Sequence, residues 1–381
     1  MGRFYFDHNA TTPVSDGVLE LVVQAMVEVY GNASSIHHYG QAAKQKLDRA
    51  RREVAELLRC RPTEVVFVSG GTEADNLAIF GTVRRGGGAA GKHVITTAIE
   101  HPAVLSACAE LEREGAAVTY VAVGSSGVVD PDDIRRALRP ETVLITVMHV
   151  NNELGTVQPV REIARAAREA GAVLHSDGVQ AAGKLPVNMG DLSVDLYSIS
   201  GHKIYAPKGV GALYVRKGVD LQPLLFGGHH ERDRRPGTEN VPGAAGLGRA
   251  ASLVVTERPD LAGLRDRLER GVLGCVPGAS VNCAGSPRVG NTSNICFEGI
   301  EGEPLLIALD LRGFAVSSGA ACSSGAVEPS HVLTAIGMSR ERARSCLRFS
   351  LGRGNDETQV DALVGALAAS VAHLRRLAPV S

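Results

Sequence analysis

The sequence carries almost no net charge. Forty lysines and arginines face 41 aspartates and glutamates, a formal balance of −1. No global basic field is available to hold nucleic acid or an anionic membrane, so a nucleic-acid partner would need a local patch. Long apolar runs are missing too. None approaches the roughly 20 residues needed to span a bilayer. The first residues, MGRFYFDHNATT, lack the basic-then-apolar pattern of a secretory leader. The seven cysteines (Cys60, Cys108, Cys275, Cys283, Cys296, Cys322, Cys346) are odd in number, scattered and without a CxxC pair. That argues against a disulfide framework and a structural zinc site, and fits a reducing cytoplasm. Most are expected to be small buried apolar residues. There is no internal repeat, and GGGAAG at 86–91 reads as a loop.

What is present is an ordinary globular balance, 44% hydrophobic and 21% charged. A chain of 381 residues exceeds the size at which one core usually splits, so two domains are expected. Strand candidates are 64–68, 93–97, 118–123, 143–148, 173–175, 196–200 and 211–215. Helical stretches at 72–83, 103–114, 131–138 and 160–170 lie between several of them. That alternation predicts an α/β fold with a mostly parallel sheet between helices. After about residue 240 helices come first, at 243–256 and 261–273. Short strands follow near 293–297 and 346–350, then a final helix over 357–377. The expected division is a large domain over 16–255 and a smaller α+β domain formed by 1–15 with 256–381.

Polar clusters follow four of the strands at once, and in open α/β sheets ligands gather at strand C-termini. In SISGHKIYAPKGVG (198–211), Lys203 ends a buried strand. Such a lysine is costly unless paired, neutral or covalently modified, and a Schiff-base lysine meets that condition; the alternative is a solvated loop lysine. Ser200 and His202 beside it can donate to a phosphate, while Lys208 in its Pro-Lys-Gly turn reads as exposed. In SDGVQ (176–180), Asp177 can pair with a pyridinium nitrogen and Gln180 can reach a ring hydroxyl; a helix N-cap is the alternative for Asp177. In SGGTEADN (69–76), Gly71 and Thr72 open a helix as an anion site suited to one phosphate. The stretch is neither a P-loop nor a dinucleotide fingerprint. His101 can stack on a ring and move protons near neutral pH, or be a satisfied structural histidine. Asn152 in HVNNELG can touch both cofactor and a substrate carboxylate. Arg348 in CLRFS is a carboxylate clamp or a surface arginine. Cys322 lies in SSGAACSSG, among small residues only, where a thiol could travel; a harmless loop cysteine is the other reading.

Taken together, these residues resemble the class I cysteine desulfurases, the NifS/IscS-like group of fold-type I pyridoxal-phosphate (PLP) enzymes in the class V aminotransferase family. The match runs almost end to end, through FDHNATTPVS, YGNASSIHHYG, FVSGGTEADNLAIFG, VMHVNNELGTVQPV, HSDGVQAAGKLPV, RPGTENVPG and SSGAACSSGAVEPSHVLTAIG.

The resemblance implies a seven-stranded sheet in the large domain and a cysteine loop in the smaller one. It implies that Lys203 carries PLP, Asp177 faces the pyridinium nitrogen, Gln180 the ring oxygen and His101 the ring face. Gly71, Thr72, Ser200 and His202 would cradle the phosphate. Thr238 would reach the phosphate of a neighbouring subunit, hence a homodimer. Asn152 and Arg348 would hold the substrate carboxylate. Cys322 would take the sulfur of L-cysteine as a persulfide, leaving alanine, and pass it to an acceptor protein in iron–sulfur cluster assembly, tRNA thiolation or DNA phosphorothioation. No resident metal is expected, though Cys322 would share a cluster transiently. Neither a membrane nor direct nucleic acid is expected as a partner. The sequence departs from the family pattern at His8, Gly71, Ala206, His229, His230 and Pro236, the last next to Thr238. Competing readings are a selenocysteine lyase, a cysteine-sulfinate desulfinase, an aminotransferase, or a non-catalytic sulfur-relay scaffold.

Overall fold

The computed structural model describes residues 2–318 and 329–377, so Cys322 lies outside the described residues. The chain opens with strand β1 (Phe4–Tyr5), then helices α1 (Asp16–Glu28) and α2 (His38–Leu58). Next come β2 (Val65–Val68), α3 (Gly71–Val83), β3 (His93–Thr97), α4 (Pro102–Arg113), β4 (Ala117–Val121), α5 (Pro131–Ala137) and β5 (Thr142–Thr146). They are followed by α6 (Val160–Ala170), β6 (Val173–Asp177), α7 (Met189–Leu192), β7 (Leu196–Ser200) and β8 (Gly211–Val215).

Strands β2 to β8 form one seven-stranded sheet in the order β2-β8-β7-β6-β5-β3-β4. The five strands from β7 to β4 run parallel, and β8 is antiparallel to both β7 and β2. Central strands such as β3 (HVITT) and β7 (LYSIS) are buried at every residue. This is the signature of a sheet covered on both faces. Only β4, at the edge, mixes exposed and buried positions. The mostly parallel α/β architecture expected from the alternation is what the chain adopts.

Helices α8 (Val241–Glu257) and α9 (Ala262–Cys275) lead into β9 (Ala279–Val281), β10 (Thr292–Phe297), α10 (Gly302–Leu311) and β11 (Phe314–Ala315). Then come α11 (His331–Ala335), α12 (Arg340–Arg344), β12 (Cys346–Ser350) and α13 (Glu357–Leu377). Strands β12, β10 and β9 make a second, antiparallel sheet. Its core is separate, with Phe6, Phe297, Leu347 and Phe349 fully buried against α9, α10 and α13. Strand β1 pairs with β11, which brings the N-terminal segment to this second core.

One expectation about the cysteines is corrected. Cys296 and Cys346 face each other across β10 and β12 and are disulfide-bonded. Antiparallel register sets two cysteines side by side, which 50 residues of separation hid in the sequence. Cys275 is exposed, against the expectation of burial; Cys108 is buried, and Cys60 and Cys283 partly so.

Candidate active site

The C-terminal ends of β2, β5, β6 and β7 open onto one cavity of about 610 Å³, in the range of small-molecule sites. Gly71, Thr72, His101, Asn152, Asp177, Gln180, Ser200, His202, Lys203 and Arg348 all line it. The structure thus brings together every described residue of the expected cofactor and substrate site except Thr238. Thr238 is exposed and lies off the lining. Its loop is tied to the first turn of α3 by Arg235 Nε donating to Glu73 Oε1 at 2.9 Å.

Lys203 follows β7 in a short 3-10 turn. Its Nζ donates to the carbonyls of Asn9 (2.7 Å) and Ala10 (2.6 Å). Burial, with the positive charge of Arg348, lowers its pKa from 10.5 to about 8. An amine that sheds its proton near neutral pH is suited to nucleophilic and base chemistry. Lys208, the competing lysine, is exposed as expected.

Asp177 is the last residue of β6 and is buried. Its Oδ1 accepts from the Val179 N–H at 2.9 Å. Burial raises its pKa, while His101 and Lys203 pull it down. Behind it stand two further buried carboxyls, Asp75 and Glu100, both also raised by burial. Among the described residues Asp75 Oδ1 has no hydrogen-bond partner, and it lies 3.5 Å from His175 Nε2.

His101 caps α4, its Nδ1 accepting from the Ala103 N–H at 3.1 Å. The ring stands open to the cavity at its rim. The surrounding protein nonetheless desolvates it and lowers its pKa. Helix α3 begins at Gly71, after Gly70 in an extended conformation. A Cβ on Gly71 would meet Val179 Cγ2 at 2.9 Å and Ser200 Cβ at 3.6 Å. Glycine there lets the helix N-terminus close on the turns after β6 and β7. Its free N–H groups, Thr72 and Ser200 then surround one point, a ready anion site. His202 Nδ1 lies 3.1 Å from Thr11 Oγ1, and burial lowers its pKa to about 4.

Arg348 is buried on β12. Nη2 donates to Asp7 Oδ1 (2.7 Å) and Nη1 to the Asn152 carbonyl (3.1 Å), while Nε has no partner among the described residues. Asn9, Lys184, Glu153 and His331 escaped the sequence reading. Asn9 joins Lys203, Gln180 and Asn152 through its carbonyl and amide. Glu153 accepts from Ser330 Oγ at 2.6 Å, and burial raises its pKa to about 7.

The family model described as aminotransferase class-V matches residues 4–363. The chain belongs to that family. Class-V aminotransferases and the NifS-like proteins among them are PLP-dependent. Among curated relatives, a cysteine desulfurase of Nostoc sp. is 46% identical over 383 aligned residues, covering 100% of this chain and 95% of that protein. Among solved structures, a NifS-like protein superposes with a TM-score of 0.91 at 36% identity, covering 98% of this chain and 100% of that one. SspA in complex with cysteine superposes with a TM-score of 0.82 at 38% identity, covering 91% and 98%. The resemblance read from the motifs is borne out at the level of family and fold. Among the described residues no cluster fit to hold a metal occurs, and no helix is long and apolar enough to cross a membrane.

Proposed function

We propose that the chain is a PLP-dependent cysteine desulfurase, converting L-cysteine to L-alanine and retaining the sulfur as a persulfide on Cys322. The observation that carries this reading is the convergence of Lys203, Asp177 and Arg348 on one cavity. The name of the whole-length relative and the neighbour in complex with cysteine support the substrate.

The residues present suit PLP. The α3 N-terminus with Thr72, Ser200 and His202 would take the phosphate. Asp177 would face the pyridinium nitrogen, Gln180 the ring oxygen and His101 the ring face. Lys203 would form the covalent link. When bound, PLP supplies an electron sink for charge developing at the substrate Cα.

Arg348 and Asn152 grip the substrate carboxylate; Asp7 and the Asn152 carbonyl already hold the guanidinium in place. Lys203, lowered to a pKa of about 8, takes the Cα proton. His101 moves a proton at the substrate thiol. The Cys322 thiolate attacks the substrate sulfur, forming an S–S bond as the C–S bond breaks. The electron pair stays on carbon, which takes up protons to become alanine. The outer persulfide sulfur then passes to an acceptor protein serving iron–sulfur assembly or nucleic-acid thiolation. In this reading the protein is a cytoplasmic homodimer in which Thr238 completes the partner's phosphate site. Residues 16–255 form the cofactor-binding domain, and 1–15 with 256–381 the domain bearing Cys322.

The test is to record the visible spectrum with PLP, then add cysteine and a reductant while following alanine and sulfide. A yellow protein making both in equal amounts is expected. Cys322→Ser should keep the colour and stop sulfur release. A yellow protein that leaves cysteine untouched discards the substrate, and one that never takes up PLP discards the cofactor.

A further inference from the structure

Lys184 follows Gln180 by four residues, and its amine donates to Gln180 Oε1 and, at 2.6 Å, to Asn9 Oδ1. Both acceptors are assigned by their other partners. Asn9 Nδ2 donates to the Asn152 carbonyl (3.1 Å) and Thr292 Oγ1 (2.9 Å), so Oδ1 is the atom left to accept. Gln180 Nε2 donates to the Asn9 carbonyl at 3.0 Å, so Oε1 is the atom turned to Lys184. A carbonyl only accepts, so neither amide can flip without losing a bond. The same Asn9 carbonyl accepts from Lys203 Nζ at 2.7 Å. One backbone oxygen therefore registers Lys203 against Gln180, and Lys184 holds both Gln180 and Asn9.

We propose that Lys184 is a positioning residue of the cofactor site, locking the Gln180 amide so that its second Nε2 hydrogen serves the ring oxygen of PLP. This rests on the cofactor reading above. Enclosing an amine beside Lys203 and Arg348 is unfavourable, and burial with those two charges pushes the Lys184 pKa well below the usual lysine range. A site that keeps an amine there gains from the bonds it makes. Methionine would fill the space but donate nothing. Gln180 would then lose its one partner at Oε1 among the described residues, and its amide would be free to turn.

The test is the pH midpoint of the visible band of the PLP-loaded, full-length protein. Around Lys184 the charged and titratable groups are Lys203, Arg348, Arg353, Asp260, His8 and Tyr205, and around the ring site Asp7, Asp75, Asp177, Glu153, His101, His202 and His331; none of these side chains is replaced by the substitutions. Lys184→Met should raise the midpoint by at least about half a unit, roughly threefold in proton affinity, because the ring oxygen loses a donor and holds its proton more tightly. Gln180→Ala should shift it likewise, and the double variant no further than Gln180→Ala alone. Lys184→Gln, which keeps polarity but shortens the reach, should move it the same way and serves if the methionine variant fails to fold. A midpoint unmoved in a folded, coloured variant overturns the role. A Lys184→Met shift that persists in full on the Gln180→Ala background also overturns it, since Lys184 would then not act through Gln180. A wild type that develops no band overturns the cofactor reading and this role with it.

Discussion

Arg51 and Glu231, 180 residues apart, form a buried two-pronged ion pair, Nη2 to Oε1 at 2.6 Å and Nη1 to Oε2 at 2.7 Å. Glu231 Oε2 also accepts from the Phe67 N–H at 2.9 Å, and Arg51 donates to the Val65 carbonyl at 2.7 Å. The pair ties the loop bearing Pro236 and Thr238 to α2 and β2. It does so across a left-handed stretch, Glu231, Arg232 and Asp233 having φ of 46°, 58° and 64°. That conformation costs a non-glycine residue roughly 1–2 kcal/mol, so the anchor holds strained backbone in place.

Removing one partner strands a buried charge. Glu231→Ala is expected to lower stability by about 3–5 kcal/mol. Arg51→Met combined with Glu231→Leu should cost less than Glu231→Ala alone, because no charge is left unpaired. Urea unfolding of the variants measures this. A Glu231→Ala loss under about 1 kcal/mol would mean that water reaches the site and solvates Arg51.

Gly178 separates the cofactor-facing Asp177 from Val179, and a Cβ there would sit 2.0 Å from two ring carbons of Tyr197. Tyr197 is fully buried, its hydroxyl 2.8 Å from His149 Nδ1. The ring has nowhere to go. Gly178→Ala should therefore destabilise by about 3 kcal/mol or more through overpacking, and Tyr197→Ala in the same chain should recover part of it. Thermal melts of the single and double variants decide. A Gly178→Ala protein that melts with the wild type would place Tyr197 elsewhere in solution.

Much of this site was legible because its residues sit in short local signatures. SISGHK and HSDGVQ each couple a β-branched or apolar run to a polar turn, and β7 begins and ends where the pattern says. Helices α1 and α2 went unread. Helix α2 packs on α8 with Gly248 against Ala50; its buried stripe, Ala43, Leu47, Ala50, Val54 and Leu58, includes two alanines and is set among many charged residues, so it is narrow in the sequence. Asn9 was invisible for another reason. Its side-chain and carbonyl bonds all reach residues at least 143 positions away, so only the folded chain assembles them. Lys184 lies within the motif HSDGVQAAGKLPV, but no periodicity tells a lysine that faces solvent from one that faces an amide oxygen.

Lys203 should betray its environment before any cofactor is added. Its pKa of about 8 lies well under the lysine value of 10.5. Competitive labelling of the PLP-free protein with trace acetic anhydride, read by mass spectrometry, should give Lys203 a midpoint near pH 8. Between pH 8 and 10.5 the unfolded chain holds the proton and the folded one does not, so this group makes stability rise with pH in that window. Arg348→Met removes a nearby positive charge and should move the labelling midpoint upward. A midpoint in the ordinary lysine range for the wild type would refute the desolvated amine.

Glu100 provides a test of opposite sign. It is fully buried, its Oε1 accepting from Thr97 Oγ1 at 2.6 Å and Oε2 from the Met148 N–H at 2.9 Å. Burial raises its pKa from 4.5 to about 8 despite those bonds. The folded state thus holds a proton that the unfolded chain has released. Its contribution to stability is complete below pH 4.5 and is lost as pH rises towards 8. Glu100→Gln keeps an acceptor and has no proton to lose. Relative to wild type, the variant should therefore gain stability steadily as pH goes from 5 to 8. Urea midpoints at pH 5, 6.5 and 8 measure the difference, in which the titrations of Asp75, Glu153 and Asp177 largely cancel. A difference that stays flat across the three would mean that Glu100 is already ionised at pH 5, held so by the Thr97 and Met148 donors.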